Sequence, residues 1–121
     1  MSKRILAVED HPVNRRILRD LLSSAGYEVI EAATGEDGVA LAESKRPDLI
    51  LMDIQLPDID GYEATRRIKA KAELRHVPVI AVTSYALSGD EAKALVAGCD
   101  AYVSKPFNPR ELLEKIREHL R

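Results

Sequence analysis

Five short apolar runs, each followed by a segment of helical length, constrain this chain more than any other feature of its sequence. The runs are Ile5–Val8, Glu28–Ala32, Leu49–Met52, Val77–Val82 and Ala101–Val103. Three are nearly continuous in apolar residues, the pattern of parallel strands covered on both faces. The second, Glu28-Val29-Ile30-Glu31-Ala32, carries charge, which suits the edge of a sheet. Strands that alternate with helices through short connections predict a parallel sheet with right-handed crossovers.

The intervening segments carry clear start and stop signals. Pro12 fits the first turn of a first helix, where its missing N–H leaves nothing unpaired, and Gly26 fits a left-handed cap that ends it. Thr34 with Asp37, Asp60 with Glu63 and Ser88 with Glu91 have the spacing of a capping box or its aspartate variant. Gly98 is placed to stop the fourth helix. Asn108-Pro109-Arg110-Glu111 joins an N-cap, a proline at the first helical position and an acid three residues after the cap. The helix that follows sets Leu112, Leu113, Ile116 and Leu120 on one stripe. Five strand–helix units of this length predict an α/β chain of flavodoxin-like (βα)5 type: one doubly wound parallel sheet, order 2-1-3-4-5.

A chain of 121 residues suffices for one hydrophobic core but not two, so a single domain is expected over residues 1–121. No internal repeat, low-complexity stretch or interdomain linker interrupts it. A formal net charge of −2 gives no basis for nucleic-acid or membrane binding. The pairs Arg15-Arg16 and Arg66-Arg67 read as solvated helix faces. No apolar run approaches the ~20 residues that span a bilayer, and the strand-like segment directly after Met1-Ser2-Lys3-Arg4 leaves no room for a signal peptide. A cytoplasmic location is therefore expected. Cys99 is the only cysteine, which excludes an internal disulfide and a cysteine-based zinc site; a buried structural thiol is expected.

In an open parallel sheet, ligands bind beyond the carboxyl ends of the strands, at the switch between the first and third. Here the first run ends in Glu9-Asp10, the third in Asp53 and the fourth in Thr83-Ser84. The fifth leads through Ser104 to Lys105-Pro106. The predicted strand order brings these groups together. Three carboxylates at one sheet edge repel one another and raise one another's pKa values unless a cation intervenes. Lys105 alone cannot offset three. A hard divalent ion with oxygen ligands can, and Mg²⁺ typically takes one or two carboxylates, waters and a substrate phosphate. Any one of these residues could be an ordinary strand-end group; their joint arrival points to metal-assisted phosphoryl chemistry.

Val8-Glu9-Asp10, Leu49-Ile50-Leu51-Met52-Asp53-Ile54-Gln55-Leu56-Pro57, Asp60-Gly61, Val82-Thr83 and Ser104-Lys105-Pro106-Phe107 occur in the order and at the spacing of a known family. By these motifs the chain resembles the CheY-like response regulator receiver domains of two-component signalling. Within that family it is most similar to the single-domain regulators of the DivK type.

The resemblance implies that Asp53 is the phosphoacceptor. It implies that Glu9 and Asp10 anchor Mg²⁺ (Mn²⁺ being the alternative) together with Asp53 and the Gln55 backbone carbonyl. It further implies that Lys105, the Thr83 hydroxyl and the Ser84 backbone N–H contact the phosphoryl oxygens. Such a site suits a loose in-line transfer, in which fixed charge and donors around the equatorial oxygens matter most. Thr83 and Tyr102 match the pair that switches on phosphorylation, and Lys105–Pro106 is a cis-peptide candidate on the same ground. Gly61 is expected to permit close backbone packing near Asp53. Gln55 and Tyr85 fall where the family varies to tune phosphoryl lifetime, and bulky Tyr85 is expected to hinder an attacking water. His11 beside the acid pair is read as a solvated loop residue, and His76 and His119 as surface residues.

The implied partners are a histidine kinase or histidine phosphotransferase as donor and a downstream target protein, met on the surface of the fourth helix, fifth strand and fifth helix. Neither nucleic acid nor membrane is an expected direct partner, and a monomer or weak homodimer is expected. The implied role is that of a switch catalysing only its own phosphorylation and dephosphorylation. A haloacid-dehalogenase-like phosphatase would need a second aspartate two residues after the nucleophile, where Gln55 stands. A nucleotide or flavin module would need a phosphate-cradling loop, whereas Glu9-Asp10-His11-Pro12 is acidic and free of glycine. A pseudo-receiver serving only protein interaction is disfavoured because every expected site residue is present.

Overall fold

A computed structural model describes residues 2–83 and 90–120, apart from the side chains at 90 and 91. Its strands are β1 (Arg4–Val8), β2 (Glu28–Ala32), β3 (Leu49–Asp53), β4 (Val79–Thr83) and β5 (Ala101–Ser104). They alternate with helices α1 (Pro12–Ser24), α2 (Gly35–Lys45), α3 (Gly61–Lys69), α4 (Asp90–Ala97) and α5 (Pro109–His119). The strands form one sheet of order β2-β1-β3-β4-β5, and every pairing is parallel. The expected architecture and the charged edge strand are both present.

Each face of the sheet buries its own cluster. Leu6, Val8, Ile50, Met52, Val79 and Ala81 pack toward α2, α3 and α4, which contribute Ala42, Ala64, Ile68 and Ala94. Ile5, Ala7, Leu49, Leu51 and Ile80 pack toward Leu18 and Leu22 of α1 and Leu112 and Ile116 of α5. Side chains alternate across a strand, so β1 and β3 need apolar residues at nearly every position to fill both clusters. Burying each large aliphatic side chain contributes roughly 1.5–3 kcal/mol.

The helix signals act largely as read. Thr34 accepts from the Asp37 N–H at 3.1 Å, Asp60 from the Glu63 N–H at 2.8 Å, and Asn108 from those of Arg110 and Glu111. Gly26 and Gly98 follow α1 and α4 with φ of 92° and 102°, a region that a Cβ disfavours. The Ser88–Glu91 cap lies outside the described residues.

β4 begins at Val79, later than its apolar run suggests. A short 3₁₀ turn at Ala72–Leu74 precedes it, and the Val77 N–H bonds back to the Leu74 carbonyl at 3.0 Å. Pro78 has no N–H to give to a ladder. Val77 is therefore buried without being part of the strand. Cys99 is the buried thiol expected; burial, foremost among the influences on it, raises its pKa.

Candidate functional site

β1 delivers the acidic turn. The Glu9 N–H extends the β1–β2 ladder to the Ala32 carbonyl at 2.9 Å, which leaves Glu9 1% exposed while Asp10 faces solvent. The Arg15 guanidinium donates from α1 to the Glu9 and Asp10 carbonyls at 3.0 and 3.4 Å, steadying the turn. Asp53 is the last residue of β3 and 5% exposed; its Oδ1 accepts the Gln55 N–H at 3.2 Å. α3 starts directly against this strand end. A Cβ at Gly61 would overlap the Asp53 carbonyl oxygen and lie 2.8 Å from the Ile54 Cα, so only glycine permits this approach.

Lys105 reaches the site through backbone pairing. Its N–H donates to the carbonyl of Thr83, the buried last residue of β4, at 2.6 Å. The Lys105–Pro106 peptide is cis. The ammonium then lies 2.5 Å from Glu9 Oε1 and 3.5 Å from Asp53 Oδ2.

Glu9, Asp10 and Asp53 each offer a carboxylate oxygen, all within 4.8 Å of one another. Burial, reinforced by a hydrogen bond and repulsion from Glu9, pushes the Asp53 pKa up to about 7. Glu9 moves the other way. Burial raises its pKa too, but the bonds to Lys105, Asp53 and the His11 N–H together outweigh that and hold it below the usual carboxylate range. Near neutrality the pair thus shares one proton, favouring Asp53. A hard divalent cation can replace that proton. The donors are all oxygens, and exposed Asp10 leaves room for water ligands, a set that fits Mg²⁺.

Glu9, Asp10, Asp53 and Lys105 therefore converge as the sequence suggests, with Thr83 at the neighbouring strand end and the Gln55 amide against Asp53. Ser84 and Tyr85 lie outside the described residues. Tyr102 is half-buried in β5 and packs against the cluster under α3 and α4. His11 meets Glu9 only through its backbone N–H, at 3.1 Å, and His76 is exposed. His119 is half-buried, with Nδ1 2.9 Å from the Lys115 carbonyl, so it is not a plain surface residue.

Two residues of this neighbourhood are missed by the sequence reading. Arg15 is no solvated-face cation, since it binds the acidic turn and approaches Glu31 at 3.6 Å. Asp58 accepts the Gly35 and Glu36 N–H groups, each at 2.8 Å. Neither contact follows a local spacing rule; in both, the partners come from different elements.

Comparison with known proteins now places the chain. The profile of the response regulator receiver domain matches residues 5–117, and the chain belongs to that family. It is a receiver domain of two-component systems, a phospho-accepting switch. Among relatives, it is similar to the polar-differentiation response regulator DivK of Brucella anthropi, 47% identical over 99% of this chain and 98% of that one. DivK of Brucella ovis is 46% identical over the same shares.

Among solved structures, one neighbour is the receiver domain of a sensor histidine kinase from Pseudomonas aeruginosa, with a magnesium ion coordinated in its active-site cleft. It is 44% identical at a TM-score of 0.93, over 99% of this chain and 98% of that one. Chemotaxis protein CheY4 of Vibrio cholerae superposes at a TM-score of 0.94, 28% identical over 99% and 100%. Among the described residues, no helix is long and apolar enough to cross a membrane.

Proposed function

We propose that this chain takes a phosphoryl group on Asp53 from a phosphohistidine of a histidine kinase or phosphotransferase and thereby changes a binding surface. The observation that carries this reading is the cluster of Glu9, Asp10 and Asp53 oxygens within 4.8 Å of one another, with the Lys105 ammonium as their one ion-pair partner among the described residues.

Glu9, Asp10, Asp53 and the Gln55 carbonyl would hold Mg²⁺, which when bound supplies positive charge beside the incoming phosphoryl oxygens. Asp53 then reacts as the carboxylate. One of its oxygens forms the bond to phosphorus while the phosphorus–nitrogen bond of the donor breaks, and the released imidazole takes a proton from solvent. Lys105 turns from Glu9 to the phosphoryl oxygens, with the Thr83 hydroxyl and Ser84 N–H as further donors. Water attack at phosphorus later returns the carboxylate, and Tyr85 slows that step by bulk.

The donor approaches over α1 and the β5–α5 connection. There an apolar groove of about 480 Å³, lined by Ile17, Phe107 and Pro109 among others, opens beside Lys105. Val13, one helical turn before Ile17 on α1, is also exposed, and the two offer an apolar surface suited to a helical partner. On the output side, Leu95 and Val96 of α4 are 61% and 85% exposed. Tyr102 lines a recess of about 250 Å³ there, between α4, β5 and α5. Thr83 moving toward the phosphoryl group lets Tyr102 turn inward and reshape that recess.

The test is incubation with Mg²⁺ and acetyl phosphate followed by intact mass measurement. One added phosphoryl group is expected on the wild type, and none on Asp53→Asn or on the wild type in EDTA. A folded wild type left unmodified by acetyl phosphate and by phosphorylated kinase would refute the proposal.

A further inference from the structure

The connection from β3 to α3 is a seven-residue stretch from Ile54 to Asp60 that carries Gln55. Its two acids, Asp58 and Asp60, cap different helices. Asp60 accepts the Glu63 N–H of its own helix, α3, at 2.8 Å. Asp58 reaches across to α2, where Oδ1 takes the Gly35 N–H and Oδ2 the Glu36 N–H, both at 2.8 Å. Thr34 takes the next N–H, that of Asp37. Of the four N–H groups that a helix start leaves unpaired, Asp58 thus supplies acceptors for two.

The contact extends beyond the carboxylate. A Cβ at Gly35 would lie 2.5 Å from Ile59 Cγ1 and 2.9 Å from the Ile59 carbonyl oxygen, so the loop sits directly on the first turn of α2. Arg67 of α3 meets Glu36 at 2.9 Å on the same turn. Desolvation raises the Asp58 pKa, but the Glu36 and Gly35 N–H groups and two further backbone donors more than offset it, and the carboxyl stays ionised. Meanwhile the Gln55 N–H holds Asp53 Oδ1 at 3.2 Å. The loop is therefore tied to Asp53 at one end, to α3 at the other and to α2 in between.

We propose that Asp58 is a positioning residue for the metal site: by clamping the β3–α3 loop onto the first turn of α2, it holds Gln55 in register with Asp53. The inference rests on the phosphoacceptor reading above, because it assigns the clamp to the loop whose Gln55 carbonyl would serve as a ligand. Partners behind metal ligands typically govern affinity by 10–100-fold, and a clamp on the loop acts in the same way.

Amide hydrogen exchange on the metal-free protein and an Mg²⁺ titration followed by amide chemical shifts test it, using wild type, Asp58→Ala and Asp58→Asn. Asp58→Ala is expected to speed exchange at Gly35, Glu36 and also Gln55, and to weaken Mg²⁺ binding by about tenfold. Asp58→Asn keeps one acceptor and loses the charge, so its affinity is expected to lie nearer to that of the wild type. Unchanged Mg²⁺ affinity in Asp58→Ala, or unchanged Gln55 exchange, would overturn the proposal. Equal weakening in both variants would also overturn it, since charge and not the clamp would then be responsible. A wild type whose Glu9, Asp10 and Asp53 amides ignore Mg²⁺ would instead sink the metal-site reading itself, and this inference with it.

Discussion

The two ends of the sheet both gather charge, but they balance it differently. At the amino ends the groups find structural partners. The Arg4 N–H donates to Asp48 at 2.7 Å and the Arg4 side chain to the Arg46 carbonyl. Asp100 takes the Val79 N–H at 2.8 Å and the Lys69 ammonium at 3.0 Å. At the carboxyl ends, Lys105 is the one cation among the described residues within ion-pair distance of the clustered Glu9, Asp10 and Asp53 carboxylates. Structural partners close off one end of the sheet; at the other, a buried carboxyl that holds a proton near neutrality leaves a place that a cation can take.

The largest effect expected on this contrast comes from removing the space at the charged end. Gly61→Ala drives a methyl group into the Asp53 backbone and should cost about 3 kcal/mol or more, read as a lower urea midpoint. Next comes Lys105→Met, which leaves Glu9 without its close cation. Without metal it should lose about 2 kcal/mol in the same measurement, and millimolar Mg²⁺ should restore part of the loss.

The pH dependence of the metal-free protein should be smaller but diagnostic. Asp53 has a raised folded-state pKa of about 7, so its contribution to stability is fully present below the unfolded value near 3.9 and is lost as pH rises through 7. Glu9 is depressed, so its contribution is present above its unfolded value near 4.3 and is lost only in more acidic solution. Between about pH 5 and 7.5, Asp53 therefore dominates. Thermal melts in EDTA should show Tm falling across that window. Saturating Mg²⁺ should flatten the trend, because the cation takes the place of the proton. A Tm that rises with pH in EDTA would contradict the pairing of Asp53 with Glu9.

The smallest effect belongs to the balanced end. Asp48→Asn removes charge from an exposed contact and should change stability by less than about 1 kcal/mol, with Mg²⁺ affinity measured by titration left unaltered. A large loss of affinity there would erase the distinction between the two ends.

The parts of the site legible in the sequence are those encoded locally. Glu9, Asp10 and Asp53 follow directly on apolar runs, and α2, α3 and α5 carry their own caps at Thr34, Asp60 and Asn108, so both the elements and the residues at their ends could be located. Val77 shows the limit of this reading. It is apolar and buried, but a preceding 3₁₀ turn and Pro78 keep it out of the ladder. Arg15 shows another, since a basic pair on an amphipathic helix resembles a solvated face until the chain folds and sets the Glu9 and Asp10 carbonyls beside it.

By itself, then, the sequence determined the strands, their alternation with helices and the polar residues that end each strand, because apolar period and capping act within a few neighbouring residues. Tertiary structure decided how those residues are paired. Lys105 lies nearer Glu9 than Asp53, the Asp53 carboxyl keeps a proton toward neutrality, and Asp58 caps α2 although it precedes α3. Each depends on distance and burial between segments far apart in the chain, and only close packing of the sheet against its helices sets those.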